Sequence, residues 1–287
     1  MNHYPSNVKE KLNSIILSMA EHHWLFSKNP GHDFTRQHLG KLSFYDTMRL
    51  IISMGKGSTN DEIMDYFDLD PDLIPSQSAF CQRRRQISLS AFEYLFSEFS
   101  SSFPSTTDKF KDHCILACDG CHVVYATNSD IIEDYNKPRL IDYKGYNHMH
   151  LNGFVDVISK AFLDVVIQPG QQPDEREALH SMLDHFTPDD PQKYIITADR
   201  GYESYDLLFH CELKNLGYVF RVKSPSSPKS ILSYYASELP DDLEEFDVTI
   251  KRFFTDKATN IMKSQSDVYR YINPSKNTPH FYELLRK

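Results

Sequence analysis

No run in this 287-residue sequence approaches the ~20 consecutive apolar residues that a membrane span needs, so no membrane partner is expected. The opening segment, "MNHYPSNVKEKLNSIILSMAEHH", lacks the basic leader, apolar block and small-residue cleavage site of an export signal, which argues for a cytoplasmic protein. Cysteine is scarce. Five thiols in no even framework suit a reducing compartment rather than a disulfide scaffold. A positive excess is missing as well: the formal net charge of −9 speaks against whole-surface attraction to nucleic acid.

What is there begins with an ordinary globular composition, 40% hydrophobic and 25% charged, in a length that accommodates two domains. The acidity is uneven, with −2 over residues 1–110, −9 over 111–210 and +2 over 211–287. Concentrated in the middle block, it suits a site that holds cations, and it equally suits a solvated acidic surface.

Residues 1–105 read as a helical N-terminal domain. Val8, Leu12, Ile15 and Met19 recur at helical spacing. "SFYD" (43–46) and "TNDE" (59–62) each have the form of a capping box, and "MGKGS" between them is a stop and turn. A third helix is expected over 78–99, carrying "QRRRQ" and then Phe92, Leu95, Phe96 and Phe99. Short helices with Arg83, Arg84 and Arg85 on the last can form a DNA-docking module; a structural bundle with solvated arginines has the same pattern. "SSSFPSTTD" (100–108) reads as a linker.

After it the periodicity changes. "CILAC" (114–118) is a short continuous apolar run, as in a strand buried on both faces. "HLNGFVDVI" (150–158) and "AFLDVVIQPG" (161–170) form a hairpin about Ser159-Lys160, and "DEREALHSMLDHF" (174–186) a helix. "YIIT" is a strand, "ESYDLLFHCELKNLG" a helix with Gly217 as its C-terminal cap, and "YVFRV" (218–222) a strand. From Lys223 onward "EFDVTIKRFFT", "VYRYIN" and "FYELLR" read as a β-rich region over 223–287.

The order over 106–222 is β-β-β-α-β-α-β, an α/β arrangement in a mixed sheet. With right-handed crossovers, the fourth strand lies parallel beside the first. The residues after those strands, Asp119 in "LACDG" and Asp199 in "TADRG", then become neighbours although eighty positions apart. Two carboxylates on adjacent strand ends suit a divalent cation and metal-assisted attack on a phosphodiester. Alone, either aspartate reads as a turn residue before Gly120 or Gly201. Arg200 follows the second aspartate, as a phosphate contact or a solvated turn arginine.

Other motifs lead away from cofactors. "CDGCH" (118–122) matches the haem-attachment spacing but overlaps Asp119 and has no export signal. A zinc site needs a second ligand pair, and Cys81 and Cys211 are isolated. A thioredoxin-like pair needs a helix at the motif, which "HVVYATNSD" is not. His148 and His150 alternate on one strand, where packing or DNA contact suits them better than metal ligation.

The segments "ILACDG", "GYNHMHLNGFVDVISKAFLDVVIQPG", "ITADRGYES" and "YVFRVKSP", with "IPSQSAFCQRRRQI" ahead of them, resemble insertion-sequence transposases of the type 4 family from about Leu42 onward. The resemblance implies a ribonuclease H-like core, Mg²⁺ (or Mn²⁺) held by a DDE carboxylate triad, and cleavage and strand transfer at transposon ends. It carries Asp119 over as the first acid and Asp199 as the second. It also implies transposon-end and target DNA as partners, a homodimer in a synaptic complex, and a place in the bacterial cytoplasm on the nucleoid.

The third acid is where this sequence departs. The family's Tyr-Arg-Glu-Lys helix after the β-rich insertion has no match. In "FYELLRK" the order of Tyr282, Glu283 and Arg286 is wrong, so Glu283 reads as a surface position. The insertion over 223–287 is then incomplete and the chain truncated, with strand cleavage expected to fall by several orders of magnitude. The alternative is a non-catalytic DNA-binding remnant that recognises transposon ends or interferes with an intact transposase.

Overall fold

A computed structural model describes residues 4–35, 42–102, 109–137, 144–228, 230–233, 247, 249, 251, 253–255, 259–260, 264–265 and 268–271. Two compact units divide the chain, Met1–Pro104 and Ser105–Lys287.

The first unit is helical among its described residues: α1 (Tyr4–Glu21), a 3-10 turn (His23–Phe26), α2 (Phe44–Ser53), α3 (Thr59–Tyr66), α4 (Gln77–Gln86) and α5 (Leu89–Ser101). Ile15, Ile16 and Met19 pack against Phe26, Phe44, Met48, Ala91 and Leu95, so the helical stripe read on α1 does face a core. Ser43 and Asp46 make the full reciprocal capping box at the start of α2. At α3 the cap is one residue earlier than expected: the Ser58 hydroxyl accepts from the Asp61 amide, and Thr59 is already helical.

The single helix expected over 78–99 is two. Ile87 leaves α4 in extended conformation, bridges Ser27 and buries its side chain, and Ser88 starts α5. A β-branched residue facing the core at the end of the arginine run ended what periodicity alone joined. Ser100 and Ser101, expected in a linker, belong to α5; residues 103–108 lie outside those described.

The second unit centres on a sheet of β1 (Cys114–Tyr125), β2 (Tyr135–Asn136), β3 (Tyr146–Asp156), β4 (Phe162–Pro169), β5 (Tyr194–Ala198) and β6 (Gly217–Phe220), with α6 (Glu175–His185) before β5 and α7 (Tyr205–Leu213) after it. The order is β2-β3-β1-β5-β6, with β4 also on β3. β1, β3 and β4 are antiparallel neighbours, and β5 and β6 run parallel to β1. This is the β-β-β-α-β-α-β succession with one two-residue strand added, a mixed α/β fold.

Leu116 and Cys118 of β1, Phe154 of β3, and Ile196 and Ala198 of β5 meet Ala178, Leu179, Met182 and Leu183 of α6 and Leu207 and Cys211 of α7. Each large side chain so buried contributes about 1.5–3 kcal/mol. Both helices pack on this one face. Ile115 and Ala117, pointing the other way, are half-buried, so "CILAC" is not buried on both faces as its composition implied.

Gly217 does not cap α7. Asn215 takes the left-handed conformation there (φ 55°), and Gly217 opens β6, where a Cβ would come within 3.3 Å of Ile195 and of the Tyr194 carbonyl. Close strand approach, not helix termination, is what this glycine serves. Of the β-rich region, the described residues include a short parallel pair, β7 (Phe253–Thr255) and β8 (Tyr269–Tyr271).

Candidate active site

The parallel register of β1 and β5 runs from Cys114↔Tyr194 to Cys118↔Ala198. The next residues on the two chains are Asp119 and Asp199. Adjacent strands lie ~4.8 Å apart, so the two acids begin from neighbouring backbone positions. One expectation changes: Asp119 does not follow its strand. β1 continues to Tyr125 along β3, with Asp119 opposite Gly153, whereas β5 ends at Ala198. The first acid is therefore set in a continuous strand, and the second on the loop that leaves one.

That loop is tightly held. The Gly201 amide donates to Asp199 Oδ1 at 2.6 Å, and the Tyr202 amide to the Asp199 carbonyl at 3.2 Å. Lys223 Nζ donates to the Arg200 carbonyl (2.7 Å) and Arg176 Nε to the Gly201 carbonyl (3.2 Å). Behind them Glu203, its side chain fully buried, accepts from Lys223 N (3.0 Å), Lys223 Nζ (3.2 Å), Ser230 Oγ (2.9 Å) and Ile231 N. Burial alone would raise the Glu203 pKa; the two amides, the hydroxyl and the ammonium outweigh it and hold the carboxyl below its ordinary value. "GYES" was legible only as a helix start, and Lys223 only as a turn residue. Their pairing across twenty positions had no local signal.

Asp119 Oδ1 accepts from the Gly120 amide at 2.9 Å. Both aspartates are exposed, and among the described residues neither has a Lys or Arg within ion-pair distance. The helix-facing side of β1 and β3 beside them is polar. His150 (3% exposed) and Asn152 (fully buried) stand opposite His122 and Gly120. A Cβ at Gly120 would fall 2.3 Å from His150 Nε2 and 3.0 Å from Asn152 Oδ1, so only glycine fits there. His150 Nε2 lies 3.3 Å from Glu175 Oε1 at the start of α6. Burial above all, with the Asp119 and Glu175 charges adding, pushes the Cys118 thiol up to about 12; burial first, then Cys118 itself and the same two acids, raise Tyr202.

Cys118 points into the core and Cys121 is exposed three residues on, so the two thiols of "CDGCH" lie on opposite faces of β1 and make neither a haem attachment nor a redox pair. His148 and His150 do share a face, against His122 at 4.6 and 4.8 Å between ring centroids. Arg83, Arg84 and Arg85 occupy the last turn of α4, where cations complement the helix dipole. Arg83 also bonds Gln86 (3.0 Å) and lies over the Phe34 ring, and Arg84 over Phe80. Arg200 is exposed. Tyr282, Glu283 and Arg286 lie outside the described residues.

Among the described residues no group of three His, Cys, Asp or Glu side chains is arranged to hold a metal ion. The donor chemistry of the pair nonetheless fits one: hard carboxylate oxygens, no competing ammonium or guanidinium, and open solvent for water and phosphate ligands. No helix among the described residues is long and apolar enough to cross a membrane.

The family model described as "Transposase DDE domain" matches residues 110–282, more than half of the chain. Among solved structures, the chain is similar to a piggyBac transposase seen by cryo-EM in a synaptic complex with hairpin DNA, at 12% identity and a TM-score of 0.34. That alignment covers 67% of this chain and 49% of the other, so the chain matches about half of that protein's length. No curated protein matches the sequence.

Proposed function

The chain belongs to the Transposase DDE domain family, and from that membership we propose that it cuts DNA at the ends of an insertion sequence and joins them to target DNA, with Asp119 and Asp199 as ligands of Mg²⁺ or Mn²⁺. The observation that carries this reading is the register: two acids eighty residues apart follow the last parallel pair of two neighbouring strands. A divalent ion bound there supplies charge neutralisation at the phosphodiester and an activated water or 3′-hydroxyl.

The chain's own residues do the rest. Asp119 is fixed by the β1–β3 ladder, and Asp199 by a loop whose carbonyls are tied to Lys223 and Arg176. Preorganised carboxylates lose little freedom on taking up a cation. Without one, this exposed acidic rim repels the phosphate it must approach. Arg200, next to Asp199, contacts a substrate phosphate. Arg83, Arg84 and Arg85 add backbone contacts from the helical unit, which makes binding salt-dependent through counterion release. On this reading the protein works in the bacterial cytoplasm at the nucleoid, as a homodimer that brings two ends together.

The test uses a labelled duplex carrying the inverted repeat that flanks its own gene. Weak Mg²⁺-dependent nicking at the repeat boundary is expected, because no residue here matches the family's third acid, and it is lost on Asp119→Asn or Asp199→Asn. Nicking that survives both substitutions contradicts the site, and salt-sensitive binding with no nicking under any divalent ion contradicts the activity.

A further inference from the structure

We propose that Arg176, on the first turn of α6, holds a DNA phosphate within one nucleotide of the cut, through the two Nη groups of its guanidinium. This adds a substrate contact to the proposed reaction and rests on Asp199 ligating a cation in a DNA-cleaving site. In "QPDEREAL" nothing singles Arg176 out between two glutamates. Two observations on its surroundings do.

The first is that the helix has no use for it. A cation in the first turn works against the helix dipole. The cap there is made by Asp174, whose Oδ1 accepts from the Arg176 and Glu177 amides at 3.1 Å each. The residue is exposed, so core packing does not hold it either.

The second is where its head is anchored. Nε donates to the Gly201 carbonyl at 3.2 Å, and the amide of that same glycine donates to Asp199 Oδ1 at 2.6 Å. The guanidinium therefore stands one residue's length from the carboxylate yet outside ion-pair distance of it. Nε uses one of the five guanidinium donors, and the four on the Nη groups have no partner among the described residues. A plane held through Nε presents them as a preset fork, the shape that matches two oxygens of a phosphate.

The other cations at this loop are placed differently. Lys223 Nζ is divided between the Arg200 carbonyl (2.7 Å) and Glu203 (3.2 Å), so its charge is already matched inside the protein. The exposed Arg200 side chain has no anchor among the described residues and loses its freedom only on binding. Arg176 has lost part of that freedom before DNA arrives. A phosphodiester drawn to a cation on Asp199 lies against the same turn of backbone that anchors the fork. The strand's next phosphate follows after ~3.4 Å of helix axis. One of these two is the anion the fork meets.

Arg176→Gln separates the anchor from the fork. The glutamine Nε2 stands as many bonds from the backbone as the arginine Nε, so it can still donate to the Gly201 carbonyl, while the charge and the Nη groups are gone. Binding of the full chain to the duplex carrying its own inverted repeat is measured in Ca²⁺, against duplexes in which one phosphate at a time is a neutral methylphosphonate. Arg176→Gln should bind the unmodified duplex roughly tenfold more weakly than the wild type. Its salt slope should be shallower by about 0.9, the share of one phosphate contact. It should also be indifferent to one methylphosphonate, within a nucleotide of the cut, that weakens the wild type. Arg176→Lys, which restores the charge, should restore the slope. A methylphosphonate profile in Arg176→Gln identical to that of the wild type means that the fork touches no phosphate; the inference then fails while the aspartate site stands. If the wild type neither prefers the repeat end nor nicks it, the proposed reaction fails, and the Arg176 contact with it.

Discussion

Replacing Glu203 by alanine should loosen the loop that carries Asp199 without touching Asp199 itself. The wild-type carboxylate is wholly inside and takes four donors, two of them backbone amides and one the Lys223 ammonium. Removing one partner of a buried, hydrogen-bonded charge pair costs ~3–5 kcal/mol. Lys223 is a quarter exposed and keeps its bond to the Arg200 carbonyl, so water recovers part of that loss. About 3 kcal/mol remains, which is roughly a hundredfold in a local opening equilibrium.

Trp24, the chain's one tryptophan, belongs to the other unit, so its fluorescence is the wrong probe. Hydrogen exchange at the Tyr202 amide, which donates to the Asp199 carbonyl and keeps its acceptor in the variant, reads the opening directly and should be about a hundredfold faster in Glu203→Ala at pH 7. The pH dependence has a definite sign. A carboxyl held below its ordinary value adds stability that is present above the unfolded pKa, ~4.3, and lost as pH falls through the folded one. The gap between wild type and variant should therefore be full at pH 7 and narrow below pH ~4. Equal exchange at pH 7, or a gap that widens in acid, would refute the reasoning.

Two further outcomes follow from the same geometry. Gly120→Ala puts a methyl 2.3 Å from Nε2 of the buried His150 and 3.0 Å from Asn152 Oδ1, so the melting temperature should fall by the equivalent of ~1–3 kcal/mol; an unchanged melt means the His150 wall is not rigid. Alkylation by iodoacetamide at pH 8 should label exposed Cys121 and spare Cys118 and Cys211, both buried and pushed up to about 12, until urea unfolds the chain. Labelling of Cys118 in the folded protein at the rate of Cys121 would contradict their placement.

The sheet was legible because its information is periodic. Apolar runs of four or five residues, a helix stripe through Ala178, Leu179, Met182 and Leu183, and the rule of right-handed crossovers suffice to bring β5 beside β1. Boundaries were read less well where a tertiary contact decides them: Ile87 ends α4 because it is drawn into the core, and Asn215, not Gly217, turns the chain after α7. The two aspartates were visible as acids closing apolar strands. Glu203, Lys223 and Glu175 were not, and His150 was read only as a packing or DNA-contact residue beside His148, because each is defined by a partner more than a dozen residues away and sits in a segment whose local pattern says only helix start, turn or strand.

The most direct test of the central claim is a crystal of the full chain soaked in Mn²⁺, with the metal located by its anomalous scattering. A Mn²⁺ ion bonded to carboxylate oxygens of both Asp119 and Asp199 is the predicted result. Ions that bind elsewhere, or that touch one aspartate while the other stays turned away into solvent, would contradict it.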